Sequence, residues 1–270
     1  MSPGSGGAPA LRPKRSLGQN FLVDRNLAAK IVAALAVAPG DTVIEIGPGR
    51  GALRPFVAAA APGRYLCLEL DRDLAARLKR EHPGLDVVAI DALRFDWTRA
   101  PGALILGNLP YNVASPLIWD ICAAGRHARA VFMIQREVAQ RIASPPGSKV
   151  YGALSAFVQA HAGVDSLFTV GPGVFRPRPK VDSAVIRLTP KPTRPDAAEG
   201  RLLSRLLAVC FQQRRKQLQK ILRPCWSEAL AATLASLGLN GRSRPEEVGP
   251  EGFRLVLKNI SPADFPLTFT

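Results

Sequence analysis

Cysteine, histidine and long apolar runs are all sparse in this chain of 270 residues, and each scarcity argues against a class of protein. The four cysteines, Cys67, Cys122, Cys210 and Cys225, stand far apart with no C-x-x-C pair among them. That argues against a disulfide framework or a zinc site and leaves reduced thiols. The three histidines, His82, His127 and His161, show no ligand spacing and read as surface or hydrogen-bonded structural residues, so no metal is expected. No segment approaches the ~18 consecutive apolar residues that a membrane helix needs. The opening stretch MSPGSGGAPALRPKR lacks the apolar core of a signal peptide and reads as a flexible tail with a basic end. The expectation is a cytoplasmic protein with no membrane partner. There is no internal repeat, coiled-coil pattern or apolar seam to suggest more than a monomer. Trp97, Trp119 and Trp226 read as packing residues rather than base platforms.

Acidic residues are also few. The 21 Asp and Glu face 36 Lys and Arg, a net charge of +15. Residues 171–270 hold 17 of the bases and only 8 of the acids, so the C-terminal part is the more basic. An excess of this size attracts polyanions and steers their approach, although a merely solvated basic surface carries the same composition.

What is present is an alternation of strand-like and helical runs. Asp24–Val37 has Leu27, Ile31 and Leu35 at helical spacing, with Asp24 as N-cap. Strands follow at Asp41–Ile46, Arg64–Leu70, Asp86–Ile90, Ala103–Leu106 and Ala130–Ile134, with a helix over Asp73–Glu81 and another running through Ile142. Ser115 and Pro116 read as a helix start. Such alternation predicts an α/β fold with a parallel, doubly wound sheet. Two later strands, near Ser166–Val170 and Ser183–Thr189, would close it as an antiparallel pair. Pro190–Gly200 reads as a linker, and the rest is helical in pattern, with helices over Arg201–Leu222 and Ser227–Leu237 and a capping box at Ser243 and Glu246.

Two stretches carry chemistry. The first, Glu45-Ile46-Gly47-Pro48-Gly49-Arg50-Gly51, lies where a strand turns into a helix and lets backbone pass close to a ligand. With Ala52 it also satisfies the G-x-G-x-x-A dinucleotide fingerprint, which keeps a nicotinamide oxidoreductase open as an alternative. Glu69 ends the next strand, where an acid can accept from both hydroxyls of a ribose, and Asp91 ends the third, within reach of an adenine amine. Asp71 and Asp73 read as helix-start residues. The second stretch is Gly107-Asn108-Leu109-Pro110-Tyr111-Asn112 at the end of the fourth strand. An exocyclic amine donates its lone pair into the ring and is a poor nucleophile. The Asn108 side-chain oxygen and the Leu109 carbonyl can accept its two hydrogens and draw the nitrogen toward a tetrahedral shape. Pro110 fixes the backbone direction, and Tyr111 can stack on the base. The bland alternative is a β-turn in which Asn and Pro serve geometry alone.

The chain resembles the bacterial small-subunit (16S) ribosomal RNA adenine N6,N6-dimethyltransferases, the enzymes tied to kasugamycin sensitivity. The resemblance runs from about Lys14 to Asn259. It rests on LGQNFLVD (Leu17–Asp24), VIEIGPGRGAL (Val43–Leu53), LELDRDLA (Leu68–Ala75), GNLPYNVASPLI (Gly107–Ile118), IQREVAQRI (Ile134–Ile142), VFRPRPKVDSAVIRL (Val174–Leu188) and FQQRRKQL (Phe211–Leu218). It implies a Rossmann-like class I methyltransferase domain over residues 16–189, after a tail over 1–15, with a linker over 190–200 and a small helical domain over 201–270. It implies S-adenosyl-L-methionine as cofactor, contacted by Asn20, Leu22, Gly47, Gly49, Glu69, Asp91 and Asn108. Asn108, Leu109, Pro110 and Tyr111 would hold the target adenine. The substrate implied is small-subunit rRNA within a pre-30S particle, dimethylated at two adjacent adenosines of its 3′-terminal hairpin. Two other roles stay open: a large-subunit dimethyltransferase of the macrolide-resistance type, and an assembly factor that binds without chemistry. Arg54 stands where the family often has threonine.

Two basic clusters suit RNA phosphates. Arg176, Arg178 and Lys180 alternate with Pro177 and Pro179, which predicts an extended, stiff rod. Arg214, Arg215 and Lys216 are read as one face of a helix, with Phe211, Leu218 and Leu222 turned to the core. Lys14 and Arg15 are weaker candidates.

Overall fold

The computed structural model describes residues 13–14 and 17–260. Most of the expected 1–15 tail, Arg15 and the last ten residues of the expected helical domain lie outside that range.

Strand β1 (Phe21–Leu22) precedes helix α1 (Arg25–Leu35), and the repeating unit then begins with β2 (Thr42–Ile46), α2 (Arg54–Ala59), β3 (Arg64–Glu69), α3 (Arg72–Glu81) and β4 (Asp86–Ala89). It continues through β5 (Leu104–Asn108), α4 (Ala114–Ala124), β6 (Arg129–Gln135), α5 (Arg136–Ala143) and α6 (Ala153–His161). The closing part holds β7 (Ala162–Val170), β8 (Phe175–Arg176) and β9 (Ser183–Pro190). Helices α7 (Ala197–Gln212), α8 (Leu218–Ile221), α9 (Glu228–Ser236) and α10 (Pro250–Lys258) follow.

The large sheet runs in the order β4-β3-β2-β5-β6-β9-β7. Its first five strands are parallel, and β9 pairs antiparallel with both β6 and β7. The expected parallel sheet with a closing antiparallel pair is therefore what forms. Strands β2 and β6 are buried almost end to end, as parallel strands covered on both faces must be. Alternate side chains go to opposite faces. Val43, Leu104, Leu106, Val131 and Met133 pack with Ile31 and Leu35 of α1. Ile44, Ile105, Phe132 and Ile134 pack on the other side with α4, α6, α7 and α10. That second cluster runs without a break from the sheet into the C-terminal helices.

The chain leaves β2 outward through β3 and β4, then returns to place β5 on the other side of β2. Strand order reverses at that point, and a crevice opens there at the carboxyl ends of the strands. The register aligns Ile46 with both Leu68 and Gly107, so the loops after β2, β3 and β5 start at one level.

Several local expectations need correction. The helix predicted over Arg201–Leu222 starts at Ala197, capped by the Asp196 carboxylate, and stops at Gln212. Residues 212–217 contain no apolar side chain to hold a helix face, and tertiary bonds take the backbone over instead. The Leu218 amide donates to Ser243 and the Gln219 amide to Gly241. Arg214, Arg215 and Lys216 thus sit in a turn and not along a helix. The expected 190–200 linker shortens to 191–196, because Pro190 belongs to β9. Ser115 does not cap α4; that helix starts at Ala114, its entry held by the Pro110 carbonyl, which accepts from Val113 and Ala114. The capping box pairs Arg244 with Glu247, and Ser243 accepts instead from the Asn240 amide.

Candidate active site

The ends of four strands and one strap build the site. Gly47, Gly49 and Gly51 all have positive φ, which folds the 47–51 loop tightly over the end of β2. The Gly47 amide donates to Leu68 and the Gly51 amide to Pro48. A Cβ at Gly47 would meet no protein atom within 4 Å; Gly47 lines the open cleft. A Cβ at Gly49 would sit 3.0 Å from the Phe21 ring. The Arg50 guanidinium lies over that ring, 4.6 Å from its centroid.

Glu69 ends β3 and is buried. One carboxylate oxygen accepts from the Gly49 amide and the other from the Asp71 amide, both at 2.9 Å. Burial pushes its carboxyl above the ordinary range, and these N–H groups pull it back. The Leu70 amide also faces the carboxylate, and of its roughly four lone-pair directions these donors leave room for a ligand hydroxyl. Asp91 follows β4, where its carboxylate caps a short 3-10 turn by accepting from Leu93 at 3.0 Å.

Asn108 ends β5. Its amide nitrogen donates to the Asn20 carbonyl at 2.9 Å. With the NH2 end so engaged, the side-chain oxygen is left to accept from a ligand. The Leu109 amide donates to Met133 at 3.0 Å, which locks the backbone beside β6. Pro110 and Tyr111 complete the loop, and the Tyr111 hydroxyl bonds to Ser183 at 2.9 Å.

The strap is residues 17–22 with Lys14. The Lys14 ammonium bonds to Asp71 at 2.7 Å and to Asp73 at 2.8 Å, and the Gln19 amide reaches Asp71 at 3.0 Å. Burial raises the Asp71 carboxyl, but Lys14 and Gln19 outweigh it and hold it below its usual range. Phe21 and Leu22 pair antiparallel with Arg176 and Phe175, which ties the strap to β8. Asp71 is thus a helix cap, as expected, and also the strap's anchor.

Between these parts lies a cleft of about 1200 Å³, counting its open mouth. Asn20, Leu22, Gly47, Gly49, Glu69, Asp91, Asn108, Leu109, Pro110 and Tyr111 all line it. Every residue expected to touch the cofactor or the target base is therefore brought together. A buried acid with spare lone pairs, an open glycine turn and apolar walls fit a nucleoside with an amino-acid tail.

The basic residues are placed elsewhere. Arg178 and Lys180 are exposed on the loop between β8 and β9. Arg176 bends back to donate to the Gly173 and Phe175 carbonyls. The Arg176–Pro177 peptide is cis. Arg214 is half-buried, paired with Glu246 at 2.9 Å and bonded to the Ser148 carbonyl, while Arg215 and Lys216 are exposed. His127 and His161 are buried, and burial lowers the His127 imidazole to about 4.

Sequence reasoning missed four contributors: Gln19, Ser183, Glu45 and Tyr65. Glu45 is buried at the foot of the glycine loop, and the Tyr65 hydroxyl donates to it. Burial lifts the Glu45 carboxyl to about 7, against a restraining Tyr65 hydrogen bond and the nearby charge of Arg54. Between pH 4.5 and about 7 the unfolded chain therefore ionises at this residue while the folded chain holds its proton. Stability present at low pH is lost as the pH rises through that window. Glu45→Gln keeps an acceptor for Tyr65 and removes the titration, so its denaturation midpoints should fall less over that window than the wild type's. Parallel curves would contradict this reading.

The family model for ribosomal RNA adenine dimethylases matches residues 10–259. The ribosomal RNA small subunit methyltransferase A of Nitratidesulfovibrio vulgaris (strain Hildenborough) is 52% identical over 254 residues, covering 90% of this chain and 94% of that protein. Among solved structures, the 23S rRNA methyltransferase ErmE superposes with a TM-score of 0.71 at 26% identity, over 89% of this chain and 99% of that one. A dimethyladenosine transferase from Plasmodium falciparum shares the fold, with a TM-score of 0.73 at 24% identity over 88% and 96% of the two chains.

Proposed function

The chain belongs to the ribosomal RNA adenine dimethylase family, and from that premise we propose that it dimethylates N6 of two adjacent adenosines in the 3′-terminal hairpin of small-subunit rRNA. The cofactor is S-adenosyl-L-methionine, whose sulfonium supplies an electrophilic methyl group when bound. The observation that carries the reading is the Asn108 amide. Its nitrogen is committed to the Asn20 carbonyl, and its oxygen is left for an amine hydrogen at the mouth of the cleft.

Glu69 would take the ribose hydroxyls, the Gly47 loop would hold the amino-acid tail, and Asp91 would receive the cofactor's adenine amine. Asn108 and the Leu109 carbonyl accept the two hydrogens of the target amine and expose its lone pair. Tyr111 stacks on the target base. In-line positioning and fixed dipoles then do most of the work, and no strong base is needed because the proton can leave after attack. A base must leave its stack to enter such a cleft.

The substrate is the small subunit in a late, immature state, and the protein acts on it as a cytoplasmic monomer. Support for the small-subunit choice is the 52% identity to a small-subunit enzyme, against 26% to the large-subunit enzyme ErmE. No helix among the described residues is long and apolar enough to cross a membrane. Labelled S-adenosylmethionine offered with separated, unmodified subunits tests the choice: label should enter the small subunit. Label in the large subunit instead would move the assignment to the macrolide-resistance type. Subunit binding without label would favour a pure assembly role.

Arg178, Lys180, Arg215 and Lys216 contact RNA phosphates in this reading, with Arg176 as support. Neutralising any one of the first four should lower the log–log salt slope of RNA binding by roughly 0.7–0.9. Arg214→Ala should change the slope less and the melting temperature more, because its charge is already matched by Glu246. Unchanged slopes for all four exposed residues would take both clusters off the RNA face.

A further inference from the structure

We propose that Ser183 is a positioning residue that fixes the Tyr111 ring for stacking on the target adenine, a role that rests on the functional reading above. The two residues are 72 positions apart, and their hydroxyls lie 2.9 Å apart. Tyr111 lines the cleft; Ser183 does not. Any effect of the serine on the substrate therefore passes through the tyrosine.

The serine is well placed to act as an anchor. It is fully buried at the first position of β9, while Val181, two residues earlier, is 46% exposed. A hydroxyl removed from water needs a partner, and Tyr111 supplies it. The anchor is itself held on both sides. Ser183 pairs in register with Gln135 of β6. The preceding residue, Asp182, receives the Arg136 amide at 3.0 Å on its carbonyl and the Arg136 guanidinium at 3.1 Å on its carboxylate. The hydroxyl is thus presented from the rigid sheet and not from the mobile end of a loop.

A tyrosine ring has two soft torsions. Its root is fixed by the Pro110 turn into α4, where the Pro110 carbonyl accepts from Val113 and Ala114. The bond to Ser183 fixes the far end and so sets the plane of the ring. Stacking depends on that plane. The sheet's rigidity is in this way passed to a contact that must hold a flipped base still during in-line transfer, where small misplacements are costly.

The test is a double-mutant cycle on Ser183→Ala and Tyr111→Phe, each approaching the same bond from one side. Methyl transfer is followed at saturating S-adenosylmethionine with unmodified small subunits, beside cofactor affinity and melting temperature. Each single variant should lose about 3–10-fold in kcat. The double variant should be no slower than either single one, since both remove one shared interaction. Cofactor affinity should stay within about twofold in all three. A purely structural serine would lower the melting temperature and leave kcat of the folded protein intact. Wild-type kcat in Ser183→Ala, or losses that multiply in the double variant, would overturn the positioning role and leave the functional reading standing. A wild-type protein that methylates no adenosine in either subunit would overturn both.

Discussion

Asn108→Ala should lose methyl transfer by a factor of about 10²–10³, the usual consequence of deleting one preorganised polar partner at a reacting centre. The loss arises because the target amine then keeps only the Leu109 carbonyl as an acceptor and its lone pair stays in the ring. The fold should tolerate the change. Asn108 is half-buried, and its described contact is the bond to the Asn20 carbonyl. One such bond is worth about 0.5–1.5 kcal/mol, so the melting temperature should fall by only a few degrees, on the order of 2–4 °C per kcal/mol at this size. Asn108→Asp separates the two functions of the side chain. It keeps an acceptor oxygen but sets a second oxygen against the Asn20 carbonyl, which loosens the strap. Its turnover should therefore lie between wild type and Asn108→Ala, with weaker cofactor binding than either. Single-turnover rates with isothermal titration of the cofactor separate these effects, and an Asn108→Ala enzyme within tenfold of wild type would remove Asn108 from the chemistry.

Glu69→Ala should weaken S-adenosylmethionine binding by at least about 10²-fold. Two hydrogen bonds from ribose hydroxyls to a buried, charged acceptor are worth about 1.5–3 kcal/mol each, and 1.4 kcal/mol is tenfold. The substitution also strands the Gly49 and Asp71 amides, which now donate to the two carboxylate oxygens. Both the glycine loop and the α3 start should loosen, with a clear drop in melting temperature. Glu69→Gln fails for a different reason: its single oxygen can serve one of those amides, while its NH2 faces the other. Titration of the cofactor into each variant decides the matter, and an affinity within threefold of wild type would place the ribose elsewhere.

Much of this site was legible in the sequence because its signals are local. Glycines at 47, 49 and 51 after an apolar run, an acid at the end of the next strand and Asn-x-Pro-Tyr at the end of β5 each depend on a few neighbouring residues. Strand order then gathers them at the carboxyl ends of the central strands. The parts that were not legible depend on distant pairs. The bond from Lys14 to Asp71 spans 57 residues, and that from Asn108 to Asn20 spans 88. Nothing in either neighbourhood announces the partner. Strand β1 has two residues and exists only because β8 pairs with it. The long helix over Arg201–Leu222 failed for the converse reason. Residues 212–217 are good helix formers, but with no apolar side chain to bury they yield to the tertiary bonds from Leu218 and Gln219. Arg214 looked like a free RNA contact and is instead paired with Glu246, 32 positions away.

The most direct test of the account is to map N6,N6-dimethyladenosine at nucleotide resolution. Small subunits from a strain lacking the modification would be treated with S-adenosylmethionine and either wild-type protein or Asn108→Ala. Wild type should dimethylate two adjacent adenosines of the 3′-terminal hairpin, and the variant almost none. Equal modification by both proteins, or methyl groups on any other nucleotide, would contradict it.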